Sequence, residues 1–162
     1  ESDGGDPVPS PPPTNQADVE IQVFQQAETG QHALSEVPDR KIRLPHQTLD
    51  ELNIQPGDAM CLSMSGNSMA DRLQNGSLLG IDRHTTQVID GEMYALEHGG
   101  LLRIRYLYRL PNGGLRLRSH NNHEYPDESF SAEDIRQQGI RVLGWVFWWS
   151  TLNQRKTAPG NS

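Results

Sequence analysis

The 162-residue sequence has little cysteine and no long apolar run. Its one cysteine, Cys61, excludes a disulfide framework, and inside the apolar run AMCLSM we expect it to be buried as a small hydrophobic residue rather than active in redox chemistry. No stretch approaches the ~18 apolar residues of a membrane span, and no basic-then-apolar start marks a signal peptide. The sequence therefore predicts a cytoplasmic protein, in a reducing compartment and without membrane contact.

Basic residues are also scarce, since 14 Lys and Arg oppose 21 Asp and Glu, for a formal net charge of −7. This balance argues against a nucleic-acid-binding surface over most of the chain. If DNA is involved, another part of the protein must touch it. The sequence begins with Glu1 rather than methionine, and we therefore expect a missing N-terminal part.

Both ends of the chain have the composition of disordered segments. Residues 1–18 contain five prolines and almost nothing apolar, and residues 153–162 have a similar polar character. Such segments cannot bury enough surface to offset the entropy of ordering them. The sequence therefore predicts a linker over 1–18, a folded domain over 19–152 and a tail over 153–162.

The apolar residues of the folded part occur in short, mostly alternating runs that are rich in Ile, Val, Leu, Tyr and Trp. Such runs, separated by Gly, Asn, Asp and Pro, predict β-strands. They cover residues 19–24, 59–64, 77–82, 92–96, 101–108, 115–119 and 140–148. The sequences HGG at 98–100 and PNGG at 111–114 predict hairpin turns. We expect a mainly β fold with short helices.

Three segments have the pattern of short helices. Residues 45–54 place apolar side chains near one face and end before Pro56 and Gly57. Residues 131–139 begin with Ser131 as a candidate N-cap and end at a glycine. The third helix is expected over residues 68–76, beginning at Ser68 itself.

The sequence MSGNSM at residues 64–69 makes Ser68 a candidate nucleophile. A serine at a helix N-terminus lies beside backbone N–H groups and the positive end of the helix dipole, which stabilise a developing oxyanion. The same position equally suits a serine that only caps the helix. The local sequence leaves both interpretations open.

The order of motifs along the chain resembles the C-terminal domain of LexA-like repressors, the group that includes lambdoid phage repressors and UmuD-type proteins. The motifs are SGNSMADRLQNGSLLGID, DGEMYAL, LLRIRYLYRLPNGGLRLRSHNNHEYP and IRVLGWVFW, and the resemblance covers about residues 19–149. It implies a twisted β-sheet domain of the LexA and signal-peptidase type, in which Ser68 stands at the nucleophile position.

The resemblance also implies a lysine partner, which must be neutral to accept the serine proton. Burial lowers the pKa of a lysine enough for this role. In this sequence LRIRYL places Arg105 at that position, and arginine stays protonated near neutral pH. The only two lysines, Lys41 and Lys156, lie upstream of Ser68 and in the polar tail. The sequence therefore predicts a broken Ser–Lys dyad.

The substrate side departs from the family as well. The resemblance implies self-cleavage at an Ala-Gly or Cys-Gly bond, and this chain contains neither dipeptide. The corresponding stretch is FQQAETGQHA, in which Thr29-Gly30 is the nearest analogue. Two losses, of the base and of the scissile bond, thus favour an inactive peptidase.

Two histidines in SHNNHEYP, His120 and His123, are alternative functional residues. His120 as a replacement base, or both as metal ligands, competes with the simpler interpretation of a solvated loop. A metal site needs three or four ligands and no third is obvious. We expect neither a metal nor a cofactor.

The sequence GWVFWWS at 144–150 is apolar on both faces of its expected strand. By the period of two, Trp145, Phe147 and Trp149 share one face, and Val146 and Trp148 share the other. A sandwich-like core accounts for two apolar faces, and so does a dimer. The resemblance favours dimerisation through Trp145, Phe147, Trp148 and Trp149.

The sequence therefore predicts the C-terminal oligomerisation and regulatory domain of a phage- or prophage-type transcriptional repressor. This repressor does not cleave itself, binds operator DNA through a helix-turn-helix domain outside this chain, and is induced by a protein antirepressor. The alternatives are an active self-cleaving serine peptidase that responds to RecA and DNA damage, and a related β module in another setting. We expect a homodimer or a higher oligomer.

Overall fold

A computed structural model describes residues 18–27, 34–64 and 77–150. These ranges form nine strands and two short α-helices. The strands are β1 (Asp18–Gln26), β2 (Leu34–Pro45), β3 (Ala59–Ser63), β4 (Leu78–Asp82), β5 (Glu92–His98), β6 (Leu101–Leu110), β7 (Gly114–Arg118), β8 (Glu128–Phe130) and β9 (Ile140–Ser150). The helices are α1 (His46–Glu51) and α2 (Ala132–Gln138), with 3₁₀ turns at Pro56–Asp58 and Pro111–Gly113.

The strands form one sheet in the order β2-β1-β3-β4-β9-β5-β6-β7-β8. Only β1 and β3 pair in parallel, and every other neighbouring pair is antiparallel. The predicted mainly β fold is therefore confirmed. None of the helices in the described ranges is long and apolar enough to cross a membrane.

All seven predicted strands are present, and so are the two predicted hairpins. The β5–β6 turn uses Gly99 and Gly100, and the β6–β7 turn uses Asn112 and Gly113, all at positive φ. The helix predicted at residues 131–139 is α2. Its N-cap residue and Asp134 form a capping box, and Gly139 ends the helix in the left-handed region at φ 67°.

Other predictions need correction or lie outside the described residues. The helix predicted over 45–54 is shorter, because Asn53 takes a positive φ of 57° and ends α1 early. The linker predicted over 1–18 lies outside the described residues except for Asp18, which begins β1. The predicted tail and the predicted helix at 68–76 also lie outside them.

Strands β2 and β8 are absent from the prediction. β2 is an edge strand whose residues are mostly exposed, so its sequence LSEVPDRKIRLP lacks apolar alternation. It also contains an irregularity opposite Gln22, where the amide Nε2 of Gln22 donates to the carbonyls of Val37 at 2.7 Å and Arg40 at 3.1 Å. Asp39 takes a positive φ of 61° in this irregular part.

The buried residues form three clusters. The first joins β3 and β4 to β5, β6 and β9 and includes Leu62, Leu79 and Ile104. The second lies beneath α1 and includes Leu49 and Cys61, and the third includes residues of β5, β6 and β7 with Ile135 of α2 packed against it. Cys61 is fully buried, as predicted, and desolvation raises the pKa of its thiol to about 11.

The predicted alternation along β9 is wrong at its aromatic end. Ile81 pairs with Val146 but Gly80 pairs with Trp148, so Phe147 is an extra residue in a β-bulge. The bulge places Trp148 with Trp145 against the second cluster and Trp149 with Val146 against the first. A period of two cannot be continued through such an insertion.

Candidate functional site

The side chain at the predicted base position is buried in the sheet. Arg105 is 8% exposed and stands opposite Tyr94 in the β5–β6 ladder. The alternation of β6 turns it away from Ile104, which belongs to the first cluster. The strand thus places a charged group in the interior, where an apolar residue is the usual occupant.

Arg105 also lies in the part of β6 that does not pair with β7. β6 begins at Leu101 but pairs with β7 only from Tyr106, so in the described residues its first half has no strand on that side. Nη1 of Arg105 donates to the carbonyl of Ile104 at 2.7 Å. The backbone N–H of Leu102 donates to Oε1 of Gln26 at 2.7 Å.

These two contacts occupy backbone groups that point the same way. Along an antiparallel ladder, alternate residues direct both backbone polar groups to the same side of the strand. Leu102 and Ile104 are such a pair. A second hydrogen bond, from Nε2 of Gln26 to the carbonyl of Gly100 at 3.1 Å, fixes the end of β1 here. Side chains of this chain therefore cap the start of β6.

The surroundings of Arg105 lower the pKa of its guanidinium. Burial disfavours the charged guanidinium, and the positive charge of Arg103 adds to this effect, whereas Glu128 opposes it. Together they lower the pKa of Arg105 to about 10. A group with this pKa is neutral in roughly one molecule in a thousand at pH 7, so Arg105 remains a cation.

A polar network extends from Arg103 to helix α2. Both guanidinium nitrogens of Arg103 donate to the carboxylate of Glu128, and Nη1 also donates to Nδ1 of His98 at 2.8 Å. Because arginine has no acceptor, Nδ1 must accept, and Nε2–H of His98 donates to Oε1 of Gln138 at 2.7 Å. The network therefore fixes the tautomer of His98 and joins β5, β6, β8 and α2.

The hydrogen bonds from Arg103 lower the pKa of Glu128. Because its folded-state pKa is depressed, Glu128 stabilises the fold above its unfolded pKa, and this stabilisation disappears as the pH falls through the folded pKa. Glu128→Gln should therefore cost up to ~1 kcal/mol at neutral pH, since the side chain is 40% exposed and partly screened. The deficit should shrink at an acid pH below the ordinary glutamate pKa, as the pH falls through the lowered pKa of Glu128.

Urea unfolding at both pH values measures this difference. Glu133→Gln is the matched control, because Glu133 is exposed on α2 and accepts a hydrogen bond from Gln137 of the same helix. It should change stability little at either pH. A deficit for Glu128→Gln that persisted unchanged in acid would contradict the ionic role of Glu128.

Several predicted site residues lie outside the described residues. These are the predicted nucleophile Ser68 and the predicted cleavage-site analogue Thr29-Gly30. Ser68 belongs to the connection between β3 and β4, and the backbone of Met64 and Ser77 at its two ends is joined by a hydrogen bond of 2.9 Å. The Thr29-Gly30 stretch follows β1 and precedes β2.

His120 and His123 lie in the connection between β7 and β8. Both are exposed, and Nδ1 of His120 lies 3.3 Å from the hydroxyl of Tyr106. Within residues 18–27, 34–64 and 77–150, no three His, Cys, Asp or Glu side chains are arranged to hold a metal ion.

Sequence reasoning missed Gln26, Arg103 and Glu128. Arg103 carried a usable signal, because it lies two residues before Arg105 and must share its face of β6. Gln26 and Glu128 carried none, since their contacts connect residues far apart in the sequence.

Comparison with known proteins identifies the family. The Peptidase S24-like family model matches residues 22–147. The HTH-type transcriptional regulator PrtR of Pseudomonas aeruginosa is 44% identical over 154 residues, which cover 93% of this chain and 60% of that protein. The repressor protein CI of Enterobacteria phage phi80 is 36% identical over 118 residues, which cover 72% of this chain and 48% of that protein.

The chain therefore spans about half to three-fifths of the length of these two relatives. The sequence order of strands, the mixed sheet and the family match agree, and the resemblance inferred from the motifs is confirmed. Because the match covers most of its length, the chain belongs to the Peptidase S24-like family.

Proposed function

We propose that this chain is the C-terminal oligomerisation and regulatory domain of a phage- or prophage-type transcriptional repressor that does not cleave itself. The two relatives, a transcriptional regulator and a phage repressor, support the regulatory setting. The observation that carries the loss of cleavage is the state of Arg105, which is buried, hydrogen bonded and cationic.

A cationic side chain at position 105 cannot accept the proton of a serine nucleophile. A general base must have a free acceptor and a pKa near the working pH, and a guanidinium has neither. The capped start of β6 also supports the loss of cleavage. An extended substrate segment would pair with free backbone groups of a strand edge, and side chains of Gln26 and Arg105 occupy these groups here. The direct test is whether the purified protein cuts itself, and we expect an intact chain.

In this proposal the domain acts by pairing two repressor molecules. DNA-binding domains that are joined in a dimer engage two half-sites at high effective concentration, which increases operator affinity without new DNA contacts. The acidic domain supplies association, and a helix-turn-helix domain outside this chain supplies operator recognition. The protein then works in the cytoplasm.

The association surface in this proposal is the aromatic surface, formed by Trp145, Phe147 and Trp148. These residues are partly exposed on the face of the second cluster, where Phe147 stacks over Gly80. Nε1 of Trp145 donates to Glu92 at 3.1 Å. Large, partly exposed aromatic side chains are enriched among the residues that dominate binding energy at protein interfaces.

We expect the full chain to sediment as a dimer at micromolar concentration, and Trp148→Ala to weaken the dimer at least about tenfold. Leu101→Ala is the matched control, because Leu101 is an exposed apolar residue at the start of β6. Circular dichroism verifies that both variants fold. A folded chain that is monomeric at high micromolar concentration with or without Trp148 would overturn the association role.

Without self-cleavage, induction needs another agent, and we assign it to a protein antirepressor that binds this domain. Induction should then free the operator while the repressor remains full-length. An immunoblot of induced cells measures the chain length, and operator release is followed by transcription. Release that always accompanies a shortened repressor would exclude the antirepressor.

A further inference from the structure

A cavity of about 360 Å³ lies apart from Arg105 and its polar network. Its apolar lining comes from Phe24 of β1, Leu34 of β2, Met60 of β3 and Leu143 of β9. Phe24, Leu34 and Leu143 are only partly buried, whereas Met60 belongs to the first cluster. Arg83, Thr86 and Arg141 also line it, so the cavity is a recess with apolar walls and polar groups that reaches from the surface to the core.

A second bulge in β9 creates one wall of this cavity. Ala95 pairs with Gly144 but Leu96 pairs with Val142, so Leu143 is an extra residue in the strand. Leu143 packs against the first cluster, while Val142 packs against the third. The irregularity therefore presents the apolar side chain of Leu143 to the recess.

Two arginines from different elements border the recess. Arg83 follows β4, and its Nη2 donates to the carbonyl of Gly57 at 2.9 Å. Arg141 of β9 is 68% exposed, and its Nη2 donates to Glu97 at 2.9 Å. A guanidinium has five N–H donors, so each arginine keeps donors for another acceptor.

The recess is therefore positively charged in a chain with a net charge of −7. Glu97 pairs with Arg141, and none of the described residues that line the recess is acidic. An apolar recess between two cations favours an apolar group that carries negative charge on its flanks.

We propose that this cavity binds a protein partner through an apolar side chain flanked by carboxylates. The volume accommodates one large apolar anchor, and Arg83 and Arg141 pair with the carboxylates at the opening. Buried apolar anchors surrounded by polar contacts dominate the energy of protein interfaces. The site goes beyond the proposed repressor function, because it shares no residue with the network around Arg105 and does not depend on cleavage.

The test uses the full chain and two blocked tetrapeptides. One contains a leucine–phenylalanine pair between two glutamates, and the other contains the same pair between two lysines. Methyl NMR spectra report contacts at Leu34, Met60 and Leu143. We expect saturable shifts of these methyl groups at millimolar concentration of the acidic peptide, and at least about fivefold weaker binding of the basic peptide.

Substitutions separate the two parts of the site. Arg83→Gln and Arg141→Gln should each weaken the acidic peptide about threefold to fivefold, as for exposed ion pairs. Leu143→Trp fills the recess and should abolish the methyl shifts of Leu34. Arg136→Gln, an exposed arginine on α2, is the matched control and should leave binding unchanged.

Four outcomes would overturn the proposal. They are the absence of methyl shifts with the acidic peptide, equal binding of both peptides, equal losses for Arg136→Gln and Arg83→Gln, and binding of octanoate without binding of the peptide. The last result would make the recess a site for small amphipathic carboxylates. Selective shifts that Leu143→Trp removes support the protein partner.

Discussion

Purified full-length protein should remain a single intact chain after prolonged incubation at alkaline pH, with or without an activated RecA filament. The reason is the proton on Arg105, whose pKa of about 10 leaves it charged near neutrality. Alkaline incubation is the most demanding condition, because a rising pH favours any loss of the Arg105 proton. Even then, the chain lacks the Ala-Gly or Cys-Gly bond that would be cut.

Substitutions distinguish the loss of the base from the loss of the scissile bond. Arg105→Lys alone should leave the chain intact, because the scissile bond is still absent. A lysine at this position would be buried beside Arg103, and both conditions lower a lysine's pKa toward neutrality. We therefore expect cutting only when Arg105→Lys is combined with Thr29→Ala, which creates an Ala-Gly bond.

Gel electrophoresis and mass spectrometry measure the cut, and Ser68→Ala in the double variant is the control that should abolish it. A discrete cut of the unsubstituted chain between about residues 25 and 33, lost in Ser68→Ala, would defeat the proposed inactivity. It would favour the active self-cleaving peptidase. Cutting by the single Arg105→Lys variant would show that Thr29-Gly30 is an adequate scissile bond.

Gly144→Ala should destabilise the fold by at least about 3 kcal/mol. A Cβ at this position would lie 2.4 Å from the carbonyl oxygen of Asp82 and 2.7 Å from Cγ2 of Ile81. The carbonyl belongs to the backbone of β4, so the clash requires a shift of β4 or β9. Domains of this size have a total stability of about 5–15 kcal/mol, so the variant should lose at least roughly a fifth of it.

Urea unfolding followed by tryptophan fluorescence measures the change, and Gly57→Ala is its matched control. A Cβ at Gly57 meets nothing within 4 Å, and Gly57 does not have a positive φ. It should alter stability by less than about 0.5 kcal/mol. Similar unfolding midpoints for the two variants would show that the β4–β9 approach is not as tight as the distances indicate.

Much of the fold is predictable from local sequence. Apolar alternation locates the central strands, and Gly99, Gly100 and Gly139 mark two turns because they take positive φ. The edge strands β2 and β8 cannot be predicted from apolar alternation, because few of their side chains are buried. The two bulges of β9 cannot be predicted from it either, because insertions at Leu143 and Phe147 depend on pairing partners far away in the sequence.

The candidate site also has parts that the sequence predicts and parts that it does not. The role of position 105 remains a prediction from the motif order, and the burial of Arg105 agrees with the environment that a lowered pKa requires. The cap on β6 by Gln26 is not predictable, because it joins residues 76 positions apart. Ser68 and Thr29-Gly30 remain sequence predictions, since they lie outside the described residues.

The irregular edge strand β2 has a consequence for how copies of this chain can associate. An exposed sheet edge of 12 residues is a template for endless strand addition between copies. Here Pro38 removes a donor, Asp39 turns the backbone out of register, and Arg40, Lys41 and Arg43 place positive charges side by side. These features oppose strand-to-strand addition between copies, which leaves closed assemblies as the favoured form of association.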